Sequence, residues 1–329
     1  MAKSWGESLT GASRISRRLH LAAAIGNSLE WFDFAVYGSF AVSIGQLFFT
    51  ADNSSLQLIS SFAVFAIGYL MRPLGSLVLG PVGDLLGRRP MLILSMLTMG
   101  SCSMLIGLLP TAASWGPWAG GALLALRMLQ GLSVGGEYTG ALTLVFENAE
   151  PGRQGWRGAV ASAGSLVGFV AGAGVAALIY GQLPAAAVLA WGWRLPFLAG
   201  PLIGLLGLWL RQGILPASPA PTAPDPAAPP AIQGLILALW RERHAMLRVM
   251  GVIAFADVAY YLVLVFAPQN AIRLAPQLAS RFSLITAVNE TIGIALVLLG
   301  GLLADRIGAV RCMRGSCLAL GSVLLPAQL

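Results

Sequence analysis

Charge is scarce in this chain. Asp, Glu, Lys and Arg make up 10% of its 329 residues, whereas 57% are hydrophobic. The mean hydropathy is +0.78. A soluble domain of this length carries far more charge, so the composition describes an integral membrane protein. Histidine is almost missing: His20 and His244 both lie beside arginine in charged flanks, and no metal-ligand or nucleophile pattern forms around them, which excludes the usual enzyme chemistries. The phosphate-cradling Gly-Lys-Ser/Thr element is absent from the sequence, which argues against direct coupling to ATP. The three cysteines, Cys102, Cys312 and Cys317, lack metal spacing and sit in or beside apolar runs as small fillers. The formal charge of +7 is spread between apolar runs rather than gathered in a patch, so a nucleic-acid partner is not expected.

What the chain does have is hydrophobic runs of spanning length. They predict nine helices near residues 20–45, 57–80, 91–109, 118–146, 159–181, 192–211, 248–268, 283–304 and 312–327. Arginines mark alternate connections: Arg14, Arg17 and Arg18 before the first span, Arg88 and Arg89 after the second, Arg153 and Arg157 after the fourth, Arg241, Arg243 and Arg248 before the seventh, Arg306, Arg311 and Arg314 after the eighth. The positive-inside rule then predicts a cytoplasmic N-terminus. Arg273 and Arg281 break the pattern after the seventh span. "PASPAPTAPDPAAPP", residues 216–230, is too proline-rich for helix and reads as a solvated linker. The expected organisation is a six-helix bundle over 1–212, a cytoplasmic linker over 213–245 and a partial second bundle of about three helices over 246–329.

An internal repeat supports the division. "GPVGDLLGRR" (80–89) follows the second span and "GLLADRIGAVR" (301–311) the eighth, aligning Gly80, Asp84 and Gly87 with Gly301, Asp305 and Gly308. An Asp near the start of a following helix can satisfy free N–H groups and pair with Arg, and the glycines permit a tight turn. Two copies in equivalent positions indicate two homologous halves.

The residues also resemble a known family. The loop Gly80–Arg89 is similar to the signature of the major facilitator superfamily, and "RMLQGLSVGGEYTGA" (127–141) to its fourth-helix motif. With "EWFDFAVYG" (30–38), "MRPLG" (71–75) and "GWRLPF" (192–197), the pattern resembles the metabolite:proton symporters that carry proline/betaine, citrate, 2-oxoglutarate or shikimate. The resemblance implies an all-α membrane protein of the major facilitator fold: two bundles, twelve helices, a solute held between them, a bacterial cytoplasmic membrane and a proton gradient as driving force, with no cofactor. The chain differs from that pattern in three ways. Ala309 and Val310 replace Arg88 and Arg89 in the second signature copy, the acidic element after the sixth helix is replaced by the Pro/Ala linker, and the ninth span is the last. The expectation is therefore about nine of twelve spans, with the second bundle incomplete.

Charges inside spans cost roughly 2.5 to 3.5 kcal/mol each on insertion scales, so they mark partners or wet cavities. On the first helix Gly26, Glu30, Asp33 and Tyr37 fall within an arc of roughly 60°. Two carboxylates on one stripe suit a proton or solute site; the other reading is structural pairing with Arg72 or Arg194. Arg127 lies mid-helix in the fourth span, with Glu137 and Tyr138 beyond it; the resemblance gives the motif Arg a role in proton coupling or solute binding. Arg72 and Arg194 sit beside Pro73 and Pro196, which points to packing and gating, as do the signature residues Gly80, Asp84, Gly87, Arg88, Arg89, Asp305 and Arg306. Asp257, flanked by Tyr260 and Tyr261 in the counterpart of the first helix, is a cavity candidate that would favour an ammonium-bearing solute, with cation–π help from the tyrosines. Glu290 is a weaker candidate on the eighth span.

The expected activity is proton-coupled symport of a small organic solute, an osmolyte such as proline or betaine, or a carboxylate. The alternative is a truncated remnant that inserts without transporting. The Gly-Pro pair of drug:proton antiporters is missing from the glycine-rich fifth span, which disfavours antiport.

Overall fold

The computed structural model describes residues 25, 27–51, 53–86, 88–135, 149–150, 152–212 and 239–324. For 80–86, 88, 89, 92, 203, 210–212 and 320–324 it describes the backbone alone. The described residues are helical throughout, without a strand. Nine stretches correspond to the expected spans. α1 covers 27–48, turning at Phe40; α2 is Ser54–Leu86, α3 Arg88–Leu108, α4 Pro117–Val134 and α5 Gln154–Gln182. α6 runs over 185–212 in pieces, with a π-turn at Val188–Gly192. α7 is Arg243–Leu274 and includes a π-turn at Tyr261–Phe266; α8 is Ala279–Ile307 and α9 Ala309–Leu324.

Several helices run beyond the predicted windows, because a hydropathy window stops at the first polar residues whereas the helix continues through them: α2 begins at Ser54, α5 at Gln154 and α7 at Arg243. The fourth span departs in the other direction. Its described helix stops at Val134, where Gly135 leaves helical geometry (ψ 124°), and 136–148 lie outside the described residues. Five described helices are long and apolar enough to cross a membrane: Ser54–Leu79, Gln154–Gln182, Ala185–Trp209, Arg243–Leu274 and Pro276–Ile307. The other four have identifiable reasons for falling short. α1 is broken at Phe40, the apolar part of α3 is the shorter Ile93–Leu108, α4 carries the buried Arg127, and α9 has 16 residues.

Hydrocarbon-like surroundings give apolar side chains no reason to prefer each other over lipid, so close backbone packing has to hold the helices. Glycine supplies it at each major contact. On α2 against α4, a Cβ on Gly75 would collide with the Leu132 carbonyl, and one on Gly131 with the Gly68 carbonyl. On α3 against α6, Gly100 and Gly200 meet, with 2.9 Å from a Cβ on either to the other's carbonyl oxygen. α5 is sandwiched. Gly168 and Gly172 press on the α1 backbone near Ser28 and Ala35, and Gly155 meets Gly301 of α8 on the other side. Asn27 donates to the Ala161 carbonyl at 3.1 Å and to Ser165 Oγ at 2.6 Å, and Ser28 to the Gly164 carbonyl at 2.8 Å, which fixes the register of α1 on α5.

α8 runs antiparallel along α5 from end to end. Ser280 donates to the Ala177 carbonyl at 2.9 Å at one end. At the other, Asp305 reaches the first turn of α5. The α8 positions turned inward, Ser283, Ala287 and Glu290, follow helical spacing. Contact between α7 and the first six helices runs through Phe62 with Phe266 and Tyr69 with Tyr261, and at the Ser280 end through Arg273, which donates to Ser54 Oγ at 3.2 Å.

If backbone proximity holds the bundle, Gly131→Leu should cost about 3 kcal/mol or more by overpacking. Gly174→Leu, with nothing within 4 Å, should stay within about 0.5 kcal/mol of wild type. Thermal unfolding in detergent checks this, and equal losses in both variants would refute it.

Candidate functional site

The stripe on α1 meets two arginines rather than one. Asp33, 6% exposed, pairs with Arg127, which is wholly buried, at 3.1 Å. Glu30, one turn earlier and equally buried, pairs with Arg72 at 2.9 Å. Gln130 closes the first pair into a triangle: Arg127 Nη1 donates to Gln130 Oε1 at 2.9 Å, and Gln130 Nε2 donates to Asp33 Oδ2 at 3.0 Å. Both guanidinium groups lie over rings. Arg127 sits 4.3 Å from the Tyr37 centroid and 4.7 Å from that of Phe34; Arg72 sits 4.4 Å from Phe34, 4.7 Å from Tyr69 and 5.0 Å from Trp31. A desolvated cation on an aromatic face gains on the order of 2 kcal/mol, which compensates for the Nε and Nη2 of Arg127 finding no hydrogen-bond acceptor among the described residues. Tyr37 donates its hydroxyl to the Ser61 carbonyl at 3.1 Å.

The expected pairing is thus corrected in one half. Arg72 takes Glu30, but Arg194 takes neither carboxylate. It donates to the carbonyls of Gly107 and Leu109 at 2.6 and 2.8 Å, satisfying the free acceptors at the end of α3. Its guanidinium is spent there because the break between the π-turn and the next piece of α6 aims it at α3.

The C-terminal candidates also separate. Asp257 lies exposed on α7, in a stretch, 253–258, that is exposed on every side among the described residues. Tyr260 and Tyr261, at the π-turn, point inward instead. Tyr261 donates to the Tyr69 hydroxyl at 2.9 Å, a bond between the two halves, and Tyr260 donates to Glu290 Oε1 at 2.7 Å. Glu290, 1% exposed, is therefore the buried carboxylate of this half. The sequence signal that could have ranked it first is its place on the Ser283–Ala287–Glu290 stripe of α8. Gln130 was also missed; its spacing of three from Arg127 was the available clue.

Asp305 caps a helix, but not the following one that the repeat suggested, and it forms no ion pair with Arg among the described residues. Its carboxylate accepts from the Gly155 and Trp156 N–H groups at 2.7 and 2.8 Å, two of the donors left free by the first turn of α5. Gly308, three residues on, has φ 93°, where glycine is favoured. Arg306 is exposed. In the first copy, Gly80, Asp84, Arg88 and Arg89 are described by backbone only and Gly87 lies outside the described residues, as do Glu137, Tyr138 and the linker residues 213–238. Among the described residues, no group of three His, Cys, Asp or Glu is placed to hold a metal.

Comparison with known proteins places this geometry. The Major Facilitator Superfamily profile matches residues 23–327. The glycine betaine/proline/ectoine/pipecolic acid transporter OusA of Dickeya dadantii (strain 3937) is 36% identical over 94% of this chain and 62% of its own length. The alpha-ketoglutarate permease of Escherichia coli (strain K12) is 33% identical over 92% of this chain and 68% of its own. The chain spans less than two thirds of the length of OusA and of the proline/betaine transporters it matches. Among solved structures, the proton:xylose symporter XylE bound to 6-bromo-6-deoxy-D-glucose superposes with a TM-score of 0.66 at 17% identity, over 90% of this chain and 70% of that one, a likeness of fold.

Replacing Asp305 by Ala should remove both contacts to α5 and cost about 1 kcal/mol, while Asp305→Asn, still a capping side chain, should keep most of it. An unfolding midpoint for Asp305→Ala equal to wild type would show that the cap carries no weight.

Proposed function

The chain belongs to the major facilitator superfamily, and on that premise we propose that it moves a small organic solute by symport with protons across a bacterial cytoplasmic membrane, its N-terminus on the cytoplasmic side. Two bundles, 1–212 and 246–329, would rock about a solute site between them, joined by the linker 213–245. The relatives it matches are named as a transporter of glycine betaine, proline, ectoine and pipecolic acid and as a permease of alpha-ketoglutarate, and the class proposed here is the first, osmolytes such as proline or betaine.

The observation that carries the reading is the buried Arg127–Asp33–Gln130 triangle. A wholly buried guanidinium requires a negative partner, since an unpaired buried charge costs several kcal/mol. Protonation of Asp33 removes that partner. Arg127 then becomes available to the carboxylate of an incoming solute, so proton and solute are taken up together and released together. Glu30 with Arg72 repeats the arrangement one turn away, and Tyr37, Phe34 and Tyr69 hold both cations in place without competing for the proton. Arg194, Asp305 and the signature loops serve the scaffold and the closing of the bundle ends.

Proteoliposomes carrying the protein should accumulate radiolabelled glycine betaine or proline under an imposed proton gradient and lose the accumulation on adding a protonophore. Asp33→Asn should reduce accumulation to the level of protein-free vesicles while solute exchange at equal concentration persists. Arg127→Gln should abolish both. Protein in the membrane is quantified in parallel; accumulation that survives the protonophore, or is unaltered in both variants, would overturn the assignment.

A further inference from the structure

Glu290 differs from every other buried carboxylate in the described residues. Glu30 and Asp33 each have an arginine; Glu290 has a single neutral donor, the Tyr260 hydroxyl, on Oε1. Among the described residues its Oε2 has no hydrogen-bond partner, and no Lys, Arg or His forms an ion pair with it. A carboxylate that is 1% exposed and held by one phenol is several kcal/mol short of compensation if ionised. Its position is incomplete without a cation or a proton.

The surroundings favour a cation. Rings from both halves meet here: Tyr260 stands 5.3 Å from Tyr261 and 5.7 Å from Phe169, and Phe169 stands 5.5 Å from Trp31. Aromatic faces attract ammonium and methylated ammonium groups, most strongly where water is excluded. A void of about 20 Å³ lies one turn of α8 away, lined by Phe169, Gln269, Ser283 and Thr286 among others but not by Glu290, room for about one water. Gln269 Oε1 and Ser283 Oγ, in residues 4% and 3% exposed, have no hydrogen-bond partner among the described residues. Glu290 Oε2 and Gln269 Oε1 are acceptors, so the unsatisfied set on this side asks for positive or N–H-bearing groups. The cationic nitrogens without a hydrogen-bond partner among the described residues, on Arg72 and Arg127, belong to the other half. Asp257, the carboxylate that sequence position favoured for this task, is exposed, whereas Glu290 is buried.

We propose that Glu290, backed by the rings of Tyr260, Tyr261 and Phe169, is the subsite for the positively charged nitrogen of the solute. It rests on the transport reading above and narrows it: the solute is a zwitterion whose carboxylate goes to the Arg127 side and whose nitrogen goes to Glu290, rather than a dicarboxylate. Opening of the halves, with separation of Tyr261 from Tyr69, makes the room that the described conformation lacks.

Binding and transport are measured separately so that the two ideas can fail separately. In detergent, glycine betaine should raise the unfolding midpoint of the wild-type protein by linkage, and 2-oxoglutarate should not. Glu290→Gln, nearly isosteric, should weaken betaine binding about tenfold or more, the size of one charge-assisted contact. Tyr260→Phe, which keeps the ring, should weaken it less than Tyr260→Leu. Betaine stabilisation unchanged in Glu290→Gln, no betaine stabilisation of wild type, or stabilisation by 2-oxoglutarate in its place would overturn the subsite. If Glu290→Gln keeps its betaine affinity but loses only gradient-driven accumulation, Glu290 is a proton site and the proposal also falls. Betaine binding without uptake into proteoliposomes would sink the transport reading and leave the subsite standing. Should Glu290→Gln fail to insert, Glu290→Asp gives the affinity instead; the shortened carboxylate is expected to bind betaine more weakly than wild type, and wild-type affinity would refute the proposal.

Discussion

A guanidinium with no exposed surface is the constraint around which the first six helices are arranged. Arg127 cannot be left alone in a low-dielectric interior, and removing a partner from a buried pair typically costs about 3 to 5 kcal/mol. α1 must therefore bring Asp33 to it, α4 must bring Gln130, and α2 must bring Phe65 close enough for its ring to lie 5.8 Å from the cation. Each of these helices is then fixed in rotation as well as in position. The glycine contacts between α2 and α4 and between α1 and α5 follow, since the charges meet only if the backbones approach within touching distance. Buried ion pairs are weak evidence for stability, and here the pair is better understood as an address that tells three helices which faces to present.

Much of this architecture was legible in the sequence. Hydrophobic runs gave the spans, the arc on α1 put Glu30 and Asp33 together, and the paired signature loops located Asp305 at a helix junction, where its carboxylate does cap α5. What could not be read was partner choice. Arg72, Arg127 and Arg194 are equivalent as charges in a sequence, and only the path of α6 through its π-turn decides that Arg194 ends on the carbonyls of α3.

The second half was harder to read for a related reason. Asp257 and Tyr261 repeat the spacing of Asp33 and Tyr37, so the repeat nominated Asp257. The Tyr261 N–H still bonds the Asp257 carbonyl, so the equivalence holds as far as Tyr261, and the π-turn that starts there shifts the positions beyond it. Tyr260 and Tyr261 turn toward α8 and α2, and Asp257 stays exposed. Glu290 was less conspicuous because a lone Glu in a long apolar helix has no nearby motif to advertise it. Its isolation from any arginine is visible only once the helices are packed.

The sandwiching of α5 has a mechanical consequence. Interlocked side chains act as teeth, and two helices joined that way can separate but cannot slip past each other without large side chains changing rotamer. The strip of α5 facing α8 has few teeth, being built largely from Gly155, Ala159 and Gly181 against Gly301 and Ser280, with Leu166 set against Gly293. Sliding along it meets little friction, and resistance is concentrated in a few latches at the ends: two N–H groups on Asp305 and one hydroxyl on Ala177. Such a joint is stiff while latched and slippery once released, so its two positions can be separated by a handful of hydrogen bonds instead of by the repacking of a core.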